Sequence, residues 1–238
     1  MLAKTLLPAL LLATLGLSPV LAAEGPNLGR LQGLLGGEMP DQVTSTAVEG
    51  LYEVTFGSQV LYLSEDGRFV VRGELLDLEQ GANLTEGRRA ELRTAALDAM
   101  GEKQMIVYKP KGETKHLVTV FTDIDCPYCV RFHQEMDQHL ANGIEVRYLL
   151  YPRAGIGSAS YDKAVSAWCA DDPQQALTQA KQGQSIEQLS CPNPVAEQFQ
   201  LGQQLGVRGT PTIVLENGQL LPGYVPAPRL AQMLERDQ

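Results

Sequence analysis

Leu117-Val118-Thr119-Val120-Phe121-Thr122-Asp123-Ile124-Asp125-Cys126-Pro127-Tyr128-Cys129 is the stretch that decides the fold. After Leu117, residues 118–121 are β-branched and aromatic, the composition of a strand. Two cysteines separated by Pro127 and Tyr128 follow at once. Proline is tolerated in a first helical turn, where its missing N–H would be unpaired anyway. A helix is therefore predicted from Pro127 to Leu140, with Cys129, Phe132, Met136 and Leu140 on its inward stripe. Ile144–Leu150 (IEVRYLL) reads as a second strand.

A CxxC that opens a helix after a strand is the thioredoxin-like pattern. Cys126 lies where unpaired backbone N–H groups and the helix dipole favour negative charge, which lowers its pKa and makes it the nucleophile. Pro127 and Tyr128 are uncharged, so the helix terminus carries most of that effect. Cys129, on the inward stripe, is the resolving thiol that attacks a mixed disulfide from within. Two alternatives stand beside this reading. CxxC could be half of a zinc site completed by Cys169 and Cys191, although these lie 22 residues apart rather than as a close pair. It could also be an inert structural disulfide.

Further along, residues 158–205 read as mostly helical, broken at Asp171-Asp172-Pro173 and at Cys191-Pro192-Asn193-Pro194. Thr212–Leu215 and Gln219–Leu221 form a hairpin across Glu216-Asn217-Gly218, since Asn-Gly is a favoured turn. Thr210-Pro211 stands directly before that hairpin. Given the fold that the CxxC implies, a cis bond is expected there, turning the Thr210 backbone outward toward an extended substrate beside Cys126; a trans turn proline is the alternative. Thr210, Pro211, Tyr128 and Pro127 are the candidate substrate-contact residues. Cys169 and Cys191 are expected to pair with each other, with a second redox couple as the alternative. His116, His133 and His139 do not make a ligand set, and His133 reads as a surface helix position. Trp168 reads as core. No metal site and no cofactor are expected.

The front of the chain differs. Residues 24–40 are Gly- and Pro-rich and read as a loose lead-in, and 43–79 as β-rich. Leu51–Phe56 is a strand candidate, and Val60–Leu63 and Phe69–Val71 flank the hairpin turn Glu65-Asp66-Gly67-Arg68. About 50 residues make a marginal core, so this segment is expected to lean on a partner surface. A helix follows over 85–100, with Thr85 as candidate N-cap, Gly101 as the stop, and Leu92, Ala95, Ala96, Ala99 and Met100 on one face. It reads either as a linker or as a helix packed on one domain.

Met1-Leu2-Ala3-Lys4, the apolar run Thr5–Leu17 and the small residues Val20–Ala23 form the pattern of a cleaved secretory signal, ending after Ala22 or Ala23. An uncleaved anchor is the rival reading, but the run is short and contains Pro8. Export implies an oxidising compartment. The 238 residues carry 19 Lys+Arg and 28 Asp+Glu, a formal charge of −9, with 44% hydrophobic and 20% charged residues. That composition is globular and excludes the basic footprint of a nucleic-acid binder.

At these residues the chain resembles bacterial periplasmic disulfide isomerases of the DsbC/DsbG type. The resemblance is carried by Phe121-Thr122-Asp123-Ile124 before the CxxC, by Trp168-Cys169-Ala170, by Leu205-Gly206-Val207 through Gly209-Thr210-Pro211, and by Asn217-Gly218 with Leu221-Pro222-Gly223-Tyr224. It implies a two-domain α+β and α/β architecture. A signal peptide (1–22) precedes a small cystatin-like N-terminal dimerisation domain (23–84). A linker helix (85–101) then carries a thioredoxin-fold catalytic domain with a helical insertion (102–238). The implied assembly is a V-shaped homodimer whose cleft binds misfolded secreted proteins, and whose CxxC is kept reduced by a DsbD-like membrane reductase. By motif, Cys126 is the nucleophile, Cys129 the resolving thiol, and Thr210-Pro211 the cis-proline loop. CPYC matches the DsbG-type branch, whereas the Cys169/Cys191 pair follows the DsbC-type pattern. Isomerase is the first functional reading; a DsbG-type reductase of sulfenylated single cysteines and a non-enzymatic holdase are the alternatives. Cytosolic thioredoxin has a buried Asp six residues before its nucleophilic cysteine. Here Val120 stands there, so another group must handle the proton on Cys129.

Overall fold

The computed structural model describes residues 25–236; the export signal expected at 1–22 lies outside them. The front segment opens with α1 (Gly29–Leu34). The antiparallel strands β1 (Gln42–Ser45), β2 (Leu51–Phe56), β3 (Gln59–Ser64) and β4 (Val70–Val71) follow in that spatial order. The expected turn at 65–68 pairs Tyr62 with Val71 and Leu63 with Val70, and Gly67 takes φ 68° there. The lead-in is not loose. Leu31 of α1 is buried on Val54 and Leu63, because a four-stranded sheet this small needs a lid over its apolar face. A short hairpin, β5 (Leu76–Asp77) and β6 (Ala82–Asn83), leads into α2 (Leu84–Met100).

Helix α2 is capped by Asn83, whose side chain accepts from the Glu86 N–H at 3.0 Å, and not by Thr85. Thr85 is buried instead, its hydroxyl accepting from Leu75 N–H and meeting the Tyr62 hydroxyl. The packed face also differs from the apolar one. Arg93, Ala96, Leu97 and Met100 turn inward, while Ala95 and Ala99 stay exposed. A charged residue can sit on that stripe because one terminal guanidinium nitrogen donates to Glu86 at 2.6 Å and to the Gly218 carbonyl at 3.1 Å, although its buried Nε has no partner among the described residues. The helix thus packs on both parts of the chain, near β3 and β5 at its start and on the second core at its end.

The second part holds β7 (Ile106–Tyr108), β8 (His116–Thr122), α3 (Pro127–Gln134), α4 (Met136–Ala141), β9 (Ile144–Leu150), α5 (Ala159–Trp168), α6 (Pro173–Lys181), α7 (Val195–Gln204), β10 (Thr212–Leu215), β11 (Leu220–Pro222) and α8 (Ala227–Arg236). Its sheet runs β11-β10-β8-β9-β7; only β8 and β9 pair in parallel, from His116↔Ile144 to Thr122↔Leu150. The single helix expected over 127–140 is two, broken at Glu135. The Glu135 carboxylate accepts from the Ala227 N–H at 2.7 Å and from the Tyr224 hydroxyl, tying the break to the start of α8. The stripe Cys129, Phe132 and Met136 is buried, with Leu140 packed against it. Trp168 packs against the same core.

Candidate active site

Strand β8 ends in the middle of the sheet, and the chain turns through Asp123–Asp125 to place Cys126 at the N-cap of α3, with Pro127 in the first turn. Cys126 and Cys129 are free thiols, with only 1% and 0% of their surface exposed. Pro127 and Tyr128 between them are exposed, Tyr128 to 59%. The Thr210–Pro211 bond is cis. The Thr210 carbonyl accepts from the Cys126 thiol at 3.2 Å, so the loop expected beside the nucleophile does lie beside it.

The two sulfurs have opposite acidities. Burial works against the Cys126 thiolate, but the adjoining Thr210 and hydrogen bonds from Cys129 and from the Tyr128 backbone outweigh it, and the pKa falls below the ordinary thiol value. Burial dominates at Cys129 and pushes its pKa up. Lys181 pulls the other way, as do the neighbouring Thr210, Asp123 and Thr122. The Asp123 N–H donates to the Cys129 sulfur at 3.5 Å. Asp123 is itself fixed: its carboxylate accepts from the Asp125 N–H at 2.8 Å, the Arg153 N–H at 2.9 Å and the Arg153 guanidinium at 3.0 Å. An ionisable outer thiol above a protonated inner one is the arrangement for nucleophilic attack followed by internal resolution.

Cys169 and Cys191 are joined in a disulfide, one at the end of α5 and the other in the non-helical stretch before α7. They therefore do not complete a zinc set with the CxxC. His133 is not a surface residue. It is buried, with its ring nitrogens 3.2 Å from the Tyr148 hydroxyl and 2.9 Å from the Thr178 hydroxyl. Burial, helped by the Lys181 charge, lowers its pKa to about 3.

Residues 101–238 match the family described as thioredoxin-like domain, and residues 21–86 match the disulfide bond isomerase protein N-terminal domain. The thiol:disulfide interchange protein DsbC of Escherichia coli K12 is 40% identical over 191 residues, which cover 80% of this chain and 79% of that one. The chain belongs to the DsbC family of thiol:disulfide interchange proteins. The DsbC of Dickeya dadantii strain 3937 is 37% identical over 226 residues, 94% of this chain and 92% of its own. The crystal structure of a disulfide interchange protein from Neisseria gonorrhoeae matches with a TM-score of 0.50 at 35% identity, over 58% of this chain and 99% of that one. As a DsbC family member the chain is a thiol:disulfide oxidoreductase with a thioredoxin-like fold, as the CxxC and its setting predict.

Two groups at this DsbC-type site escaped the sequence reading. In the sequence Asp123 is only part of a motif, because its clamp on Arg153 joins residues 30 apart. Lys181 carries no motif. A lysine in the last turn of a helix reads as a partner of the helix dipole. The one available signal was its position four residues after the apolar Leu177, on the inward face.

Proposed function

We propose that the protein is a periplasmic disulfide isomerase that works through a reduced Cys126–Cys129 pair. The opposed acidities of the two thiols carry this reading. The Cys126 thiolate attacks a wrong disulfide, forming a Cys126–substrate bond and releasing one substrate thiolate. That thiolate, or another in the same substrate, attacks elsewhere in the substrate. The last thiolate formed displaces Cys126, which leaves as the thiolate it began as. Substrate disulfides are conserved in number, and no net oxidant is needed. When the substrate cannot rearrange, Cys129 attacks Cys126 and releases it reduced. A DsbD-like membrane reductase then restores the pair. Thr210, Pro211, Tyr128 and Pro127 form the rim that holds the substrate; exposed Tyr128 offers an aromatic face for unfolded chains. The Cys169–Cys191 pair is structural, and neither metal nor cofactor takes part.

The assigned organisation is a signal peptide at 1–22, a dimerisation domain at 23–84, a linker helix at 85–101 and the catalytic domain at 102–238. Exposed Phe69, Val70 and Val71 beside or on the edge strand β4, with Leu76 and Leu78 nearby, support dimerisation, because an open apolar edge invites pairing with a second copy. The signal pattern supports export, and no helix among the described residues is long and apolar enough to cross a membrane. The names of the relatives favour isomerase over the sulfenic-acid reductase and the holdase.

The test is refolding of a scrambled multi-disulfide protein by the pre-reduced enzyme, with Cys126→Ser as control. Recovery that needs Cys126 and leaves total substrate disulfides nearly constant is expected. No recovery, with efficient reduction of a sulfenylated single-cysteine protein, would replace this reading with the reductase. Recovery that survives Cys126→Ser would leave only a holdase. Sedimentation of the intact protein at the mass of one chain would overturn the dimer.

A further inference from the structure

Lys181 ends α6 with 3% of its surface exposed. Its ammonium donates to the Thr122 hydroxyl at 2.8 Å and to the Asp123 carbonyl at 3.2 Å, and lies 5.6 Å from the centre of the Tyr148 ring. The same Asp123 peptide segment that receives Lys181 on one side sends its N–H to the Cys129 sulfur on the other. Among the described residues, Lys181 forms no ion pair with a carboxylate, because the nearby Asp123 side chain is held by Arg153 and the Asp125 side chain by Lys163. A buried ammonium held only by neutral oxygens is costly unless an anion faces it. The ionisable groups around it are Asp123 and Asp125 in the turn after β8, Cys126 at the N-cap of α3, Cys129 and His133 on α3, and Tyr148 on β9, with Tyr108 of β7 and Asp137 of α4 on the walls of the same cavity but in no ion pair with it. His133 stays neutral, and Tyr148 is wholly buried with its pKa raised by that burial. The anion that this surrounding leaves for Lys181 is a thiolate of the CxxC, and the contact through Asp123 leads to Cys129.

We propose that Lys181 is the positioning residue that stabilises the Cys129 thiolate when Cys129 resolves a mixed disulfide, the task for which Val120 offers no ionisable group. Two observations on acidity agree with the geometry. Lys181 is the largest influence opposing the effect of burial on Cys129. Conversely, burial lowers Lys181 to about 8, and Cys129 is the largest influence holding it up. In the step itself, Cys129 gives up its thiol proton and its sulfur attacks Cys126. The Cys126–Cys129 bond forms as the Cys126–substrate bond breaks. The substrate sulfur leaves with the electron pair and takes up one proton. Lys181 remains an ammonium throughout, and its charge makes the attacking thiolate available near neutral pH.

This inference rests on Cys126 and Cys129 being the redox pair. The test uses the full-length mature protein in two backgrounds. With Cys126→Ser, ultraviolet thiolate absorbance titrates Cys129 alone. There Lys181→Met, which keeps length and apolar contact, is expected to raise the Cys129 midpoint by about one pH unit, a tenfold fall in thiolate fraction. With both cysteines present, the rate at which a preformed mixed disulfide resolves should fall about tenfold at neutral pH, and its pH profile should move upward by the same amount. Lys181→Gln should behave like Lys181→Met, and Lys181→Arg, which keeps the charge, should stay near the parent. Folded Met and Gln variants that titrate and resolve like the parent would overturn the role of Lys181. Isomerase activity that survives Cys126→Ser would instead overturn the assignment of the pair, so the two failures are distinguishable.

Discussion

Replacing His139 with Phe should remove part of the acid sensitivity of this fold. His139 lies on α4 with 0% of its surface exposed, stacked on Phe132 of α3 with ring centroids 4.3 Å apart. Neither ring nitrogen has a hydrogen-bond partner among the described residues. Burial lowers its pKa from 6.5 to about 4, against a weaker opposite pull from Glu135. The unfolded chain binds a proton at this site below pH 6.5, whereas the folded chain resists until about pH 4. Its contribution to stability is therefore fully present above 6.5 and is lost as pH falls toward 4. At 1.36 kcal/mol per unit, the whole loss is about 3 kcal/mol, of which about 2.5 kcal/mol is gone by pH ~4.5. Urea unfolding followed by the single Trp168, at fixed protein concentration and at pH ~7.5 and ~4.5, measures it. His133 and the carboxylates lose stability in both proteins, and any packing cost of Phe is the same at both pH values. The drop between the two pH values should thus be smaller in His139→Phe by about 2.5 kcal/mol. A difference below about 1 kcal/mol would refute the view that His139 is buried neutral under the helix that carries the CxxC.

Two other outcomes are expected. Gly218 takes φ 81°, and a Cβ there would overlap the Ala90 carbonyl of α2. Gly218→Ala should therefore cost about 2 kcal/mol or more in urea unfolding, whereas Gly57→Ala, at φ 56° with open space around it, should cost about 1 kcal/mol. The double variant Cys169→Ala/Cys191→Ala opens a loop with a sequence separation of 22. It should lose about 3 kcal/mol of stability by the chain-entropy relation, while isomerase activity at 25 °C persists.

The catalytic half was largely readable because its signals are local. Strand composition before Cys126, proline in the first turn and Asn217-Gly218 in the hairpin each specify a few adjacent residues, and β8, α3 and β10–β11 follow them. What escaped depends on contacts between distant residues. The break at Glu135 is made by Ala227 and Tyr224, about 90 positions away. His133 reads as polar on a helical wheel, yet it is covered by Thr178 of α6. Arg93 lies on a buried stripe where, besides Glu86 of its own helix, a carbonyl 125 residues later receives it. Helix α8 carries a helical period of its own, with Ala227, Leu230 and Leu234 buried. The short helix α1 was hidden by its glycines, although Leu31 points into the sheet.

The clasp between Arg93 on α2 and the Gly218 carbonyl has a consequence for how the linker can vary. Helix α2 meets the front sheet at one end and the catalytic half at the other, so its two contact faces are locked in rotational phase. Inserting one residue between Thr85 and Arg93 would swing everything beyond it by about 100° and slide it about 1.5 Å along the axis. Arg93 would then face solvent, and another side chain would meet the hairpin backbone at Gly218. Changes in steps of a whole turn keep the phase nearly intact but move the hairpin by about 5.4 Å per turn. The span between the two halves is therefore set in discrete steps, and relatives that vary the length of this helix should do so by three or four residues rather than by one or two.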